Sequence, residues 1–469
     1  MTYYEDSDVV LHLGDCVDVM KTLEPVDAIV TDPPYGLEFM GKEWDRLWDA
    51  RANTEYRRKG FGPGVLAAPV YKAGLAAQEW HYTWAVEALR VLKPGGHMVV
   101  FGGTRTFHRL WCAVEDAGFE IRDSVGFLGM LGWIYGQGFP KSLDVSKAID
   151  MDACRKDLTE RLGRAPTKAE FKAAWKGWRE VVGQACDFAH DGCDRSGEHA
   201  SRPTQQVPSG DRWHLSITAP ATDAARQWQG FGTALKPSWE PILLCRKPIE
   251  GTVAHNVLKH GTGALNVDAT RIQTDDNLDG GAYSAEGNRN PSSYLLGGDA
   301  GEYKHPSGRW PANLCLDEES AKMLDAQSGE SRSSDNPRHN ADFKSVAKGY
   351  EYAHVTHGHN DTGGASRFFY TSKAGPSERG GSKHPTVKPR DLMLWLCKLI
   401  TPPGGLILDP FIGSGTTAVA ARMGGFRCIG IDNNEEYLSH AAERLRLGDE
   451  GLCQVNEARK HGAEQRRLW

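Results

Sequence analysis

Short runs of apolar residues near both ends of the chain have the length and composition of buried β-strands. Each run is rich in valine, isoleucine or leucine and is bounded by turn-forming or polar residues, as parallel strands buried on both faces are. The runs occupy residues 9–13, 27–31, 97–102, 405–408 and 427–431. Helical patterns at 80–92 and 416–423 lie between consecutive runs, and Gly424 and Gly425 end the second helix. Both ends of the chain therefore predict parts of one doubly wound α/β sheet.

The middle of the chain has a different character. Residues 134–235 and 251–380 are rich in Gly, Ser, Asn, Asp and His and contain few long apolar runs. Within them, residues 275–307 and 328–365 are polar enough to be loops that become ordered on a ligand. We therefore expect two inserted regions between the sheet-forming parts of the chain.

One helix stands out in the first inserted region, at residues 167–178. Thr167 and Glu170 have the spacing of a capping box, and four apolar or aromatic residues then fall on one face. A helix docked by this aromatic stripe is one interpretation. A helix-turn-helix over residues 158–178 is the alternative.

Composition excludes several classes of protein. The 469 residues are 40% hydrophobic with a mean hydropathy of -0.49, and no run of about 18 apolar residues predicts a membrane span. The N-terminal segment is acidic and has no signal-peptide pattern. The 10 cysteines are scattered, mostly within apolar segments, which is typical of reduced thiols inside the cell. We expect a cytoplasmic protein without membrane contact.

Charge is distributed unevenly along the chain. The net charge is -6, so binding to nucleic acid requires a local concentration of basic residues. Residues 332–390 carry ten Lys or Arg against five Asp or Glu, with Phe368, Phe369 and Tyr370 among them. This pattern is expected of a surface that follows a phosphate backbone, and a solvated loop is the alternative. Arg367 and Lys373 are the candidate contacts.

Cys186, His190, Cys193 and His199 raise the question of a zinc site. The spacings permit metal ligation, but the paired C-x-x-C of structural zinc sites is absent. We therefore predict no metal and favour a solvated loop.

The motif Asp32, Pro33, Pro34 and Tyr35 directly follows the predicted strand at 27–31. It therefore lies at the carboxyl end of a strand, where α/β enzymes bind their ligands. The two prolines hold the backbone extended and leave the Pro33 carbonyl beside the Asp32 carboxylate, since proline has no N–H group. Two acceptors next to an aromatic ring suit a planar group with an amine, such as adenine or cytosine. A plain loop at a strand end is the alternative.

A second constellation lies between the strand at 405–408 and the helix at 416–423. Its members are Asp409, Pro410, Phe411, Gly413, Ser414, Gly415 and Thr416. Glycines let the backbone approach a ligand closely, and the N-terminal N–H groups of a helix can receive a carboxylate. No Gly-Lys-Ser/Thr follows, and the next strand leads to Asp432, at the spacing of an acid that binds ribose. We expect a nucleoside ligand without phosphates.

The order of these motifs resembles the amino-methylating DNA methyltransferases that use S-adenosylmethionine, in their circularly permuted beta group, which includes many phage and orphan bacterial enzymes. Six segments in order carry the resemblance: LGD at 13–15, DPPY at 32–35, RVLKPGG at 90–96, ALKPSWEPI at 234–242, HPTVKP at 384–389 and FIGSG at 411–415. The resemblance covers roughly residues 11–130, 230–250 and 380–440. It does not explain the inserted regions.

The resemblance implies a class I methyltransferase fold, an α/β doubly wound sheet in circularly permuted order with an inserted target-recognition region. The implied parts are a catalytic half at 1–133, a target-recognition insert at 134–235, a returning strand at 236–250, a second insert that contacts DNA at 251–380 and a cofactor-binding half at 381–469. Residues 119–127 and 239–246 are expected to pair antiparallel and close the sheet. The first insert would then extend from the tip of a hairpin.

The resemblance also implies a role for each motif residue. Asp32 and Pro33 would accept the two N–H groups of the target amine, and Tyr35 would stack on the base. The implied cofactor-binding residues are Asp15, His384, Thr386, Lys388, Asp409, Pro410, Phe411, Gly413, Ser414, Gly415, Thr416 and Asp432. Among them Asp15 would face the adenine end and Asp432, where the family usually has Glu, the ribose. Lys388 and Thr416 would hold the methionine carboxylate.

The expected activity is site-specific methyl transfer from S-adenosylmethionine to the N6 amine of an adenine flipped out of double-stranded DNA. Aspartate at position 32 favours adenine, because related N4-cytosine enzymes more often carry serine there. N4-cytosine methylation, RNA as substrate and a catalytically silent DNA-binding protein stay open. No Pro-Cys pair occurs, which argues against methylation of a ring carbon. A homodimer is a further expectation, and the sequence does not identify a partner nuclease.

Overall fold

The computed structural model describes most of the chain. The described residues are 1–35, 71–122, 130–136, 142–186, 214–236, 238–274, 307–332, 338–339, 355–356, 361–372 and 388–448. They form two compact units, of which the smaller comprises described residues between 137 and 238 and the larger most of the rest. None of the described helices is long and apolar enough to cross a membrane.

The described residues of the larger unit include one 11-stranded sheet. In chain order its strands are β1 (Thr2–Glu5), β2 (Val9–Leu13), β3 (Val26–Thr31), β4 (Leu92–Phe101), β5 (Glu120–Ile121), β6 (Met130–Ile134), β7 (Trp239–Arg246), β8 (Leu314–Asp317), β9 (Tyr370–Ser372), β10 (Leu406–Asp409) and β11 (Arg427–Asp432). Across the sheet the order is β1-β2-β11-β10-β3-β4-β7-β6-β8-β9, with β5 also pairing β7. Strand β7 runs antiparallel to its neighbours, and β1 runs antiparallel to β2. The other pairs are parallel, so the predicted doubly wound α/β sheet is confirmed.

Helices cover both faces of this sheet. In chain order they are α1 (Cys16–Met20), α2 (Tyr71–Val91), α3 (Phe107–Asp116), α4 (Val253–His260), α5 (Glu318–Ser328), α6 (Arg390–Ile400), α7 (Thr416–Met423) and α8 (435–448). Every residue of β3 is buried, because alternate side chains enter different cores. Ala28 and Val30 pack in the core with α6, α7 and α8, and Ile29 packs in the core with α1, α2 and α3.

The predicted elements are confirmed with some ends displaced. Strand β2 has the predicted bounds, and α7 matches the predicted helix at 416–423. Helix α2 begins at Tyr71 rather than at residue 80, and it ends at Val91 because Leu92 already belongs to β4. The apolar stripe that predicted this helix is its buried C-terminal part, with Trp84, Ala85, Ala88 and Val91 in the core.

The antiparallel pairing expected between residues 119–127 and 239–246 is present where the structure describes it, but it does not close the sheet, because β6, β8 and β9 lie beyond β7. Glu120 and Ile121 of β5 lie opposite Arg246 and Cys245 of β7, and residues 123–129 lie outside the described residues. Strand β6 also pairs antiparallel with β7, with Ile134 opposite Trp239. The chain segment that forms the smaller unit therefore connects two neighbouring antiparallel strands.

The described residues of the smaller unit form three helices and a two-stranded hairpin. The helices are Val145–Leu162, Lys168–Lys176 and Asp223–Gln227, and the hairpin pairs Val181–Cys186 with His214–Thr218. Asp150 is fully buried and joins these elements by hydrogen bonds and an ion pair. Its carboxylate accepts hydrogen bonds from the backbone of Ala221 and Thr222 and forms an ion pair with Arg179 at 3.2 Å.

The capping box predicted at Thr167 and Glu170 is present. The predicted stripe of Phe171, Ala174, Trp175 and Trp178 is the half-buried face of the helix Lys168–Lys176, although none of its residues is fully buried. Phe171 and Trp175 stack on each other with ring centroids 6.3 Å apart, and the Arg155 guanidinium lies 4.9 Å from the Phe171 ring. The helix-turn-helix interpretation and the role of this unit in target recognition stay predictions.

Candidate active site

Four parallel strands bring the candidate residues to one edge of the sheet. The strands β2, β11, β10 and β3 are consecutive neighbours, and parallel strands end at the same edge. Asp15, Asp432, Asp409 and Asp32 lie at or just beyond the carboxyl ends of these four strands, respectively. Glu240 reaches the same edge from the N-terminal end of the antiparallel strand β7.

A cluster of four side chains surrounds Asp32. The Tyr35 hydroxyl lies 2.6 Å from Asp32 Oδ1 and also contacts Glu240 Oε1. Lys388 Nζ lies 2.9 Å from Asp32 Oδ2, 2.9 Å from Glu240 Oε1 and 3.0 Å from Tyr35 Oη. We call Asp32, Tyr35, Glu240 and Lys388 the carboxylate cluster.

Electrostatics fix the charge of two members of this cluster. Burial acts to lower the pKa of Lys388, but the carboxylates of Asp32 and Glu240 outweigh burial and raise it. Burial, together with the same two carboxylates, raises the pKa of Tyr35 well above its ordinary value. At neutral pH the lysine is therefore an ammonium and the tyrosine a neutral phenol.

Thr106 and Gly103 support the loop that carries Asp32. The Thr106 hydroxyl donates a hydrogen bond of 2.8 Å to the carbonyl oxygen of Tyr35. Gly103 packs so closely that a Cβ atom there would lie 3.0 Å from the Tyr35 side chain. Pro33 is buried and Pro34 is partly buried, whereas the Asp32 side chain keeps 22% of its exposure and can be reached by a substrate.

Asp409 connects the two motif loops. Its buried carboxylate accepts hydrogen bonds from the Thr31 hydroxyl at 2.7 Å, the Thr417 hydroxyl at 2.6 Å and the Phe411 backbone at 3.0 Å. Thr31 directly precedes Asp32. These donors from the chain itself engage both carboxylate oxygens, and a contact between Asp409 and the cofactor stays a prediction.

Burial raises the pKa of Asp409 to about 7, although its hydrogen bonds act in the opposite direction. The folded state therefore holds this proton more tightly than the unfolded state, where the pKa is about 3.9. Stability contributed by the neutral carboxyl is lost as the pH rises from about 4 to about 7. We expect Asp409→Asn, which stays neutral, to become more stable relative to the parent over this range by up to a few kcal/mol. Urea unfolding at several pH values measures this difference, and a constant difference would contradict the assignment.

Asp432 organises the turn that follows β10. Its Oδ2 accepts a hydrogen bond from the Gly413 backbone at 2.9 Å, and its Oδ1 accepts one from Asn434 at 2.8 Å. Its backbone carbonyl accepts from Gly14 at 3.0 Å, which ties in the turn before Asp15. Asp15 itself caps α1 by accepting from the backbone of Val17 at 2.9 Å. Burial raises the pKa of Asp432.

The side chains of the glycine loop face the protein rather than the open edge. The Phe411 ring packs against Trp80 and Trp84, with centroid distances of 5.7 and 5.4 Å. Arg444 donates to the Ser414 carbonyl at 2.9 Å and to the Thr416 hydroxyl at 3.1 Å. Pro410, Ser414 and Thr416 are buried. The loop therefore presents mainly backbone to a ligand.

The chain is similar to known DNA methylases over most of its length. The profile of the N6_N4_Mtase family, described as DNA methylase, matches residues 26–129 and 210–443, well over half of the chain. The chain belongs to this family of DNA methylases. It is 23% identical over 467 residues to the Type II methyltransferase M.HindIII of Haemophilus influenzae, covering 96% of this chain and 99% of that protein.

Two further similarities are shorter or more distant. Over 73 residues the methylase is 48% identical to the Type II methyltransferase M2.DpnII of Streptococcus pneumoniae, covering 16% of this chain and 27% of that protein. A solved structure of the PvuII DNA methyltransferase, titled cytosine-N4-specific, aligns with a TM-score of 0.38 at 12% identity, covering 96% of this chain and 91% of that one.

Several expected site residues of the methylase occupy different surroundings from those implied by the motifs. Lys388 was expected beside Thr416, at the methionine carboxylate. The structure places its ammonium against Asp32, Glu240 and Tyr35, and Thr416 instead meets Arg444. His384 and Thr386 lie outside the described residues.

Two functional residues escaped the sequence analysis. Glu240 lies in the segment ALKPSWEPI, which carried the family resemblance, but the segment gave no reason to assign the glutamate to the active site. Arg444 is buried in α8 and holds the glycine loop from behind, and no motif marks it. The only sequence feature that marked either residue was the position of Glu240 within the family-like segment ALKPSWEPI.

The expectation for Arg367 also needs correction. Its guanidinium donates to Asp361, to the carbonyls of Gly363 and Gly364, and to Ser331. Its side chain is only 17% exposed, so these groups leave little of it for a DNA phosphate. Lys373 lies outside the described residues. Arg367 therefore serves to hold its own loop together.

We expect Arg367→Ala to lower the free energy of unfolding by about 2 kcal/mol, because several carbonyl and carboxylate acceptors lose their donor. Urea denaturation measures this loss. Lys322→Ala, at an exposed position on α5, is the matched control and should change stability by less than about 0.5 kcal/mol. Equal stability of the two variants would show that Arg367 has no structural role.

The predicted absence of metal is not tested at its main candidate, because His190, Cys193, His199 and the side chain of Cys186 lie outside the described part of the chain. Among the residues that are described, no group of three or more His, Cys, Asp or Glu could hold a metal ion.

Proposed function

We propose that this DNA methylase transfers a methyl group from S-adenosylmethionine to the N6 amine of adenine in double-stranded DNA. The observation that carries the proposal is the hydrogen bond that joins the DPPY loop to the glycine loop at the ends of two adjacent strands. The Thr31 hydroxyl bonds Asp409 at 2.7 Å, so the Asp32 carboxylate is held next to the glycine loop. A target amine and a methyl donor would thereby meet at one edge of the sheet.

The residues around the glycine loop fit S-adenosylmethionine. The loop DPFIGSGT contains no lysine or arginine, which suits a nucleoside without phosphates. The Asp432 carboxylate accepts backbone N–H groups from Gly413, Asn433 and Asn434 and retains about one lone pair for a ribose hydroxyl. Gly413, Gly415 and Asp432 would hold the cofactor. When bound, S-adenosylmethionine supplies an electrophilic methyl group.

The methylase's own residues would prepare the amine for attack. An adenine amine has its lone pair delocalised into the ring. If Asp32 and the Pro33 carbonyl each accept one N–H, the nitrogen becomes pyramidal and its lone pair is directed toward the methyl group. Catalysis then rests on positioning and on preorganised acceptors. Tyr35 would stack on the flipped base, with its backbone carbonyl held by Thr106 and its ring contacted by Lys388.

Adenine is preferred over cytosine in this proposal because position 32 carries aspartate, as the family resemblance indicates. The same resemblance, together with the chain order of the motifs, supports the permuted beta group. The DPPY strand β3 precedes the glycine-loop strand β10 in the chain by over 370 residues, yet the two strands are hydrogen-bonded neighbours. We assign target recognition to the two inserted regions and place the enzyme in the cytoplasm.

Nucleoside analysis tests the proposed function. Unmethylated duplex DNA is incubated with the methylase and isotope-labelled S-adenosylmethionine, then digested and examined by mass spectrometry. We expect labelled N6-methyladenine, with duplex DNA as a better competitor than structured RNA. Labelled N4-methylcytosine without N6-methyladenine would overturn the adenine assignment, and an absence of label in any nucleoside would overturn the activity.

A further inference from the structure

The carboxylate cluster contains more close contacts than hydrogens to fill them. Lys388 contacts Asp32, Glu240 and Tyr35, and the Tyr35 hydroxyl contacts Asp32 and Glu240. An ammonium supplies three hydrogens and a phenol one. Five donor–acceptor contacts therefore share four hydrogens. One of the two contacts between the phenol and a carboxylate has no hydrogen.

Both contacts between the phenol and a carboxylate lie at a partly buried site. The side chains of Glu240 and Asp32 are 13% and 22% exposed. Two oxygen acceptors at hydrogen-bond distance repel each other when no proton lies between them, and the repulsion is stronger away from water. One additional proton on either carboxyl group would turn this repulsion into a hydrogen bond. The cluster is thus arranged to accept one proton.

Methylation of an amine releases one proton. The amine nitrogen would form its bond to the methyl carbon with its lone pair and become positively charged, while the carbon–sulfur bond of the sulfonium donor would break and leave its electron pair on sulfur as a neutral thioether. Neutrality returns when one N–H bond breaks, its electron pair stays on nitrogen and the proton moves to an acceptor. Asp32 is the acceptor that the proposed function places against this nitrogen, so the present inference rests on that function.

We propose that Glu240 is the final acceptor of this proton within the protein, and that Tyr35 relays it there from Asp32. Before the reaction Tyr35 donates its hydrogen to Glu240, and its contact with Asp32 Oδ1 is unfilled. The amine proton binds Asp32 Oδ1 and then moves to the Tyr35 oxygen as the phenol proton moves to Glu240 Oε1. Asp32 is ionised again, Tyr35 is again a neutral phenol, and no electron changes hands.

The surroundings suit this relay. Lys388 stays an ammonium throughout and offsets the charge of both carboxylates. Among the described residues, Tyr135, which follows β6, also faces Glu240, and burial together with the charge of Glu240 raises the pKa of its phenol. Tyr135 is therefore neutral near pH 7 and leaves the proton to the carboxylate cluster.

Two variants test the relay. Glu240→Gln retains the size of the side chain but removes the acceptor, and Tyr35→Phe retains the ring but removes the hydroxyl. Glu120→Gln is the matched control, because Glu120 pairs with Arg246 at the opposite end of β7 from Glu240. Single-turnover methylation is measured as a function of pH with saturating DNA and cofactor, together with the binding constants of both.

We expect both variants to react about 100-fold more slowly than Glu120→Gln near pH 7, in the range of general acid–base catalysis. Their rates should rise with pH as hydroxide replaces the missing relay, and both binding constants should stay within about twofold of the control.

Two outcomes would overturn the relay. One is a rate and pH profile for Glu240→Gln and Tyr35→Phe equal to those of Glu120→Gln. The other is a loss of DNA or cofactor binding as large as the loss of rate, which would show a purely structural role. In either case an inactive Asp32→Ala variant would leave the proposed function intact, whereas an active one would refute that function itself.

Discussion

Replacing Asp32 by alanine is expected to reduce the rate of methylation by about 1,000-fold while cofactor affinity stays nearly unchanged. The Asp32 carboxylate would accept one N–H of the target amine in the transition state, and it is the first acceptor for the released proton. Its bonds in the structure go to Tyr35 and Lys388, whereas the Asp432 carboxylate bonds the glycine loop at Gly413. The substitution therefore removes the acceptor for the amine and leaves the cofactor site unchanged.

Single-turnover rates and calorimetric titration with S-adenosylmethionine measure the two effects separately. Asp18→Ala is the control for removing an acid, because Asp18 is 75% exposed and pairs only locally with Lys21. It should methylate DNA within about twofold of the parent. An Asp32→Ala variant as active as Asp18→Ala would show that the DPPY loop does not carry the reaction.

The sheet could be predicted from sequence because its central strands are buried on both faces. In β3 every side chain must be compatible with one of two cores, which produces the uninterrupted apolar run that identified it. The ends of elements were less predictable. Leu92 continues the apolar pattern of α2 but pairs with Val26 of β3, and only the pairing decides to which element it belongs.

The charged partners of the site could not be read from the sequence in the same way. Lys388 and Tyr35 are separated by 353 positions, and Lys388 and Glu240 by 148. Local spacing carries no information on such pairs, so a lysine from a cofactor motif was expected at the cofactor. The DPPY residues were recognised because their geometry is local, whereas their charged partners, Glu240 and Lys388, come from two distant segments.

Gly415→Ala is expected to lower the free energy of unfolding by about 2–4 kcal/mol and to weaken cofactor binding about tenfold. The reason is twofold: Gly415 has a φ of 83°, where a Cβ atom costs about 1 kcal/mol, and that atom would lie 2.7 Å from the Cβ of Ala441. Overpacking of this kind typically costs about 1–3 kcal/mol. Since Ala441 belongs to α8, relief of the clash requires α7 and α8 to separate, and the glycine loop moves with them.

A substitution at Gly425, at the other end of α7, distinguishes the cost of backbone strain from the cost of a steric clash. Its φ of 72° imposes the same backbone cost, but a Cβ atom there would meet nothing within 4 Å. Gly425→Ala should therefore lose only about 1 kcal/mol and bind S-adenosylmethionine like the parent. Urea unfolding and calorimetric titration of both variants give the comparison. If both lose equal stability, the contact with Ala441 is not what demands glycine at position 415, and the cofactor loop is held by the hydrogen bonds of Asp432 and Arg444 alone.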